Sequence, residues 1–205
     1  MTQLLDGYAP PDQWFALAEN ERSTGQQNKT MALEVAQSVI DLGYTAALDY
    51  PACLLFAEFL ELKPDAKVIL SVRDSPKAWK ESVLETIGKI SVPLKKSPFS
   101  YMPFFRAFTR HLTPWLWERT GVADFGQIQF PDESIMTYQD NMEQAYEQWI
   151  DHVKSRVPED QLLLHQAKDG YEPLCQFMGI RNCPQEPYPH FGDTQHLKNM
   201  IWYWC

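Results

Sequence analysis

The chain has 205 residues and a formal net charge of -9, with a pI near 5.0, a length suited to a single domain spanning 1–205 and a balance that disfavours a broad nucleic-acid or anionic-membrane surface. Apolar residues are 44%, aromatics 13% and charged residues 22%, enough to build a core and to exclude wholesale disorder. No stretch reaches the roughly 18 apolar residues of a membrane span, and an anionic ligand would need a local basic pocket.

Residues 1–30 read as loop-rich, with Pro10-Pro11 and a polar run from Glu19 to Thr30; Asp12 to Ala18 predicts a short helix. The opening MTQLLDGYAPPDQW has no basic end and no long apolar run, so it is not read as a secretory leader and the expected compartment is the cytoplasm. In that setting Asn28-Lys29-Thr30 is a glycosylation pattern arising by chance. Residues 31–42 place Leu33, Ala36, Val39 and Ile40 at helical spacing, with Gly43 as the stop.

Alternation follows. Tyr44 to Asp49 predicts a short apolar strand, and Pro51 to Leu62 a helix with proline in its first turn. Lys67 to Val72 predicts a strand whose Val-Ile-Leu run implies burial on both faces. Pro76 to Ile90 predicts a helix. Strand, helix, strand, helix with short connections implies a parallel sheet flanked by helices, with right-handed crossovers.

Residues 91–131 break the rhythm with five prolines (Pro93, Pro98, Pro103, Pro114, Pro131) and a dense aromatic set including Phe104, Phe105, Trp115 and Trp117. An insertion forming a lid or substrate wall and a helical subdomain on the sheet both fit. Residues 134–157 form the longest predicted helix, with Tyr138, Met142, Ala145, Trp149 and Val153 on one apolar face. Gln161 to Gln166 predicts a second buried strand. Tyr171 to Met178 predicts a helix with Pro173 in its first turn and Gly179 at its stop.

Four cysteines (Cys53, Cys175, Cys183, Cys205) form no CxxC, which points to a reducing compartment rather than a disulfide framework. Cys183, His190, His196 and Cys205 fit no structural zinc spacing, and no metal is assigned.

Ligands in such sheets bind beyond the carboxyl ends of the strands. Asp49 closes the first predicted strand, Arg73 and Asp74 the second, and His165 to Lys168 the third. The second is the most informative. Ser75 is a natural N-cap and Pro76 suits the first helical position. The helix start offers unpaired N–H groups and partial positive charge. Arg73 adds a forked donor, Ser82 lies about two turns in, and Lys77 and Lys80 are nearby. This is an anion pocket, or else a normal cap with Arg73 paired to Asp74 and solvated lysines.

The segments LDYPACLLFAEFLELKPDAKVILSVRDSPKAWKESVLETI (48–87), DGYEPLCQFMGI (169–180) and PYPHFGDT (187–194) together resemble the P-loop sulfotransferase-like family over about 43–194. The resemblance implies a P-loop nucleotide-hydrolase-like α/β architecture. It implies transfer of a sulfuryl group from 3'-phosphoadenosine 5'-phosphosulfate to an acceptor hydroxyl or amine on a small molecule. It also implies that Arg73 and Ser82 hold the 3'-phosphate. Family members open with a strand and a glycine-rich loop that cradles the 5'-phosphosulfate. This sequence has neither GxGxxG nor GxxxxGK[ST], so it reads as N-terminally truncated. Five apolar side chains in such a strand are worth roughly 8–15 kcal/mol, as much as a typical domain's entire stability of about 5–15 kcal/mol, so either poor folding or a gap beside 67–72 is expected, in an incomplete copy of a longer enzyme or a degenerate, inactive one.

A transfer reaction needs a base for the acceptor. Asp49 and His165 are the candidates, from their places near strand ends. The plainer readings make Asp49 a cap for the helix at Pro51 and His165 a half-buried strand residue. The alternative function is a non-catalytic nucleotide- or protein-binding module of the same fold. A nicotinamide-dependent oxidoreductase lacks its glycine fingerprint.

Overall fold

Residues 11–85, 112, 115, 119 and 139–189 are described by the computed structural model. The chain divides into two units, Met1–Ala66 with Tyr101–Gly126, and Lys67–Ser100 with Gln127–Cys205.

The first unit is helical among its described residues: α1 (Pro11–Thr24), α2 (Lys29–Asp41), a 3₁₀ turn (Ala52–Leu55) and α3 (Phe56–Leu62). Asn28 starts α2, its Oδ1 accepting the Met31 N–H at 3.1 Å while its Nδ2 donates to Asn20 Oδ1 at 2.8 Å. Trp14, Leu17, Ala32, Val35, Ala36 and Leu55 form the core, with Trp115 set edge-on to Trp14 at 6.4 Å. Two expectations change here. Helix α1 runs to Thr24, well into the polar run, because Glu21 is turned inward to buried partners. Tyr44 to Asp49 is not a strand: Leu48 is 79% exposed, and the segment has no ladder partner among the described residues. Short apolar runs carry no information about a partner.

The second unit holds β1 (Val68–Ser71), α4 (Pro76–Val83), α5 (Gln139–Lys154), β2 (Leu162–His165) and α6 (Glu172–Met178). The two strands pair in parallel, Val68 opposite Leu162 through Ser71 opposite His165. The α/β character and the parallel pairing are as expected. Burial of β1 on both faces is not: Ile69 is 41% exposed, and Leu164 on β2 is 38% exposed. The sheet has two strands among the described residues, and no described element buries these two side chains. Helix α4 packs on α5, and α6 packs on β2. On α5, Met142, Ala145, Tyr146 and Val153 are buried, as the helical spacing requires. Tyr138 and residues 86–90 lie outside the described residues. So does most of 91–131, of which Leu112, Trp115 and Arg119 are described and buried.

Helix α6 ends where its glycine dictates. Gly179 is left-handed at φ 70°, the Ile180 N–H donates to the Cys175 carbonyl at 2.8 Å, and the Gly179 N–H donates to that of Gln176 at 3.2 Å. This double closure folds the chain back, so Cys183 comes within 5.7 Å of Cys175, Cα to Cα, and the two are disulfide-bonded. The expectation against disulfide bonding is corrected at this pair. Among the described residues no helix is long and apolar enough to cross a membrane.

Candidate functional site

Strand β1 delivers the chain to an edge. The last ladder-type bond is the Val72 N–H to the His165 carbonyl at 2.9 Å. Arg73 and Asp74 follow, and then the chain turns into α4. Ser75 is the N-cap, in extended backbone, with its Oγ accepting the Ala78 N–H at 3.1 Å and Pro76 just behind it. The start of α4 thus points its remaining N–H groups and the positive end of its dipole at the space beyond β1.

Arg73 is exposed, and its Nη2 donates to Ser82 Oγ at 3.1 Å. The two residues chosen from the sequence are therefore brought together. No carboxylate pairs with the Arg73 guanidinium among the described residues. Asp74 pairs instead with Lys168, from the loop after β2, so the bland Arg73–Asp74 pair is not formed. That contact raises the Lys168 pKa, the hydrogen bond to Asp74 being the main cause. The other two lysines are occupied. Lys80 pairs with Glu143 on α5, and Lys77 with Glu81 at 3.9 Å on the exposed face of α4.

Two contributors were missed from the sequence. Lys168 was taken only as part of a strand end. Tyr146 is 6% exposed, accepts the Arg73 N–H at 2.7 Å and stacks on Trp79 at 5.0 Å. Its place one turn after Met142 on the apolar face of α5 was the available signal.

His165 stands at the end of β2 and is 4% exposed, more deeply buried than its half-buried reading. Its Nε2 lies 2.8 Å from the Gly170 carbonyl. A carbonyl can only accept, so Nε2 carries the proton and Nδ1 is the ring nitrogen left to act as a base. The ring faces Tyr188 at 5.7 Å, and Tyr188 faces Tyr171 at 4.8 Å.

Asp49 belongs to the first unit, and among the described residues no strand precedes it. It is exposed at φ 61°, with its Oδ1 accepting the Tyr50 N–H at 2.7 Å and its carbonyl accepting the Cys53 N–H at 2.8 Å. These bonds close the turn ahead of the cis Tyr50–Pro51 peptide, and the 3₁₀ turn that follows has Pro51 at its N-cap with no side-chain cap, so Asp49 holds the turn rather than capping the helix. A shallow cavity of about 220 Å³ in the same unit is lined by Gln27, Lys29, Ala57, Glu58 and Glu61. Its one cation, Lys29, is paired with Glu61 at 2.8 Å, which leaves it a poor anion site.

A family model described as a sulfotransferase domain matches residues 1–197. The chain is also 29% identical over 163 residues to a protein of Aspergillus versicolor called Ava biosynthesis cluster protein M, covering 78% of this chain. The match spans 60% of that relative's length.

Proposed function

Because this chain belongs to the sulfotransferase domain family, we propose that the edge formed by Arg73, Ser82 and the start of α4 binds the 3'-phosphate of 3'-phosphoadenosine 5'-phosphosulfate. The observation that carries this reading is the state of Arg73. A guanidinium has five N–H donors. Here its described contact is one neutral hydroxyl, at a solvent-facing helix start. A phosphate can take two of the free donors in a forked pair. Ser82 holds the guanidinium in place for the anion.

The bound nucleotide supplies the sulfuryl group for transfer to an acceptor hydroxyl or amine. The chain's own part is to grip the far end of that nucleotide, which lends binding energy to a reaction occurring elsewhere on it. In the P-loop architecture we infer, the 5'-phosphosulfate is held by a glycine-rich loop, a motif that this sequence does not contain. His165, through Nδ1, is the proposed base for the acceptor.

The test is calorimetric titration with adenosine 3',5'-bisphosphate. The expected result is saturable binding that weakens by about ten- to a hundredfold in Arg73→Ala, the loss of a charge-assisted pair worth about 1.5–3 kcal/mol. Thermal stability should hold, because the removed side chain is exposed. A folded wild-type chain with no measurable affinity would sink the pocket. Sulfate transfer from the full donor then separates an enzyme from a module that only binds the nucleotide.

A further inference from the structure

We propose that Tyr146 is a positioning residue for the Arg73–Ser82 pocket, acting through the main chain of Arg73; this rests on the pocket reading above. The argument begins with a leftover donor. Just after β1 the Val72 N–H is satisfied by the His165 carbonyl, the last bond to the partner strand. The next N–H, that of Arg73, is not part of that ladder and needs a partner of its own. An unpaired N–H there would leave the chain free to swing at the point that aims the guanidinium. Tyr146 Oη takes that donor at 2.7 Å. Because Tyr146 is buried, water does not compete well for the bond.

The same side chain steadies the other half of the pocket. Its ring stacks on Trp79 at 5.0 Å with the planes 23° apart, and Trp79 lies one helical turn before Ser82 on α4. The Lys80–Glu143 pair is a second tie between α4 and α5. One residue of α5 thus references both the backbone that carries the guanidinium and the helix that carries the hydroxyl. The two functions are separable. The ring holds α4, and the phenolic oxygen alone holds Arg73.

Tyr146→Phe removes only the oxygen. The full chain and this variant are titrated with adenosine 3',5'-bisphosphate and with adenosine 5'-monophosphate, which lacks the 3'-phosphate. The expected result is a loss of about five- to tenfold for the bisphosphate. The monophosphate should change by less than about twofold. Equal losses for both nucleotides would mean general loosening and would overturn the inference, as would no loss for either. If the phenylalanine variant does not fold, 3,5-difluorotyrosine at position 146, titrated below about pH 6 so that the more acidic phenol stays protonated, keeps the ring and hydroxyl but weakens the acceptor. It should lower bisphosphate affinity by about two- to threefold while leaving the monophosphate unchanged, and any other pattern overturns the inference. A wild-type chain that binds no bisphosphate brings down the pocket and the inference together. A wild-type chain that binds it with the same selectivity as Tyr146→Phe brings down the inference alone.

Discussion

Arg119 in the first unit and Arg73 in the second carry the same guanidinium into opposite surroundings. Arg119 is 6% exposed and is gripped by Glu21 and Glu58, with its Nε 3.5 Å from the Leu54 carbonyl and the Trp115 ring 5.8 Å away. Glu21 is itself shared, accepting from Trp115 Nε1 at 2.7 Å and from the Asn28 N–H at 2.8 Å. Arg73 is exposed, and its described partner is the Ser82 hydroxyl. The difference teaches how to tell a structural arginine from a binding one. A buried cation saturated by two carboxylates has nothing left for an incoming anion, and losing either partner strands a charge. An exposed cation steadied by a neutral oxygen keeps its charge and most of its donors available.

The largest expected effect tests the structural half of that contrast. Arg119→Met leaves Glu21 and Glu58 buried without their counter-ion, and should lower stability by about 3–5 kcal/mol in urea denaturation. A loss below about 1 kcal/mol would break the comparison, because it would mean the cluster behaves like a solvated surface pair. A smaller effect sharpens the binding half. Ser75→Ala should lower stability by about 1 kcal/mol, the value of an N-cap, and should weaken nucleotide binding along with it. Unchanged binding would mean that the start of α4 does not face the ligand.

The smallest effect is a pH dependence in the second unit. Arg156 Nη1 lies 2.7 Å from His152 Nδ1, and arginine can only donate, so that nitrogen is unprotonated. Desolvation, and then the Arg156 charge, holds the His152 pKa below its usual 6.5. On acidification the unfolded chain therefore binds this proton first. The contribution is complete above pH 6.5 and declines as the pH falls from there towards the lower folded value. Stability measured at pH 7.5 and 5.5 should show a drop that shrinks in His152→Gln. A drop of equal size in the variant would place the titration elsewhere.

Local signals were legible in the sequence. The Val-Ile-Leu and Leu-Leu-Leu runs gave both strands, Ser75-Pro76 gave the start of α4, and Gly179 gave the end of α6. Arg73 and Ser82 could be chosen because they lie 9 positions apart on one strand-to-helix turn. What stayed hidden depends on partners far along the chain. Glu21 lies in a run that looks solvated, yet it is buried by an arginine 98 positions away. Tyr44 to Asp49 has a strand's composition, yet among the described residues it has no strand to pair with. Tyr146 sits at a core spacing that reveals burial but not that its oxygen would meet a main-chain N–H 73 positions earlier.

The Arg119 cluster also sets an order of events during synthesis. Glu58 precedes its counter-ion by 61 positions. At about 5–20 residues per second, a ribosome takes roughly 3–12 s to make that stretch. Throughout that interval two acids sit on helices whose apolar faces are already complete, and neither can be buried without a cation. The burial of both acids, and of the core around them, therefore waits until the arginine has been made.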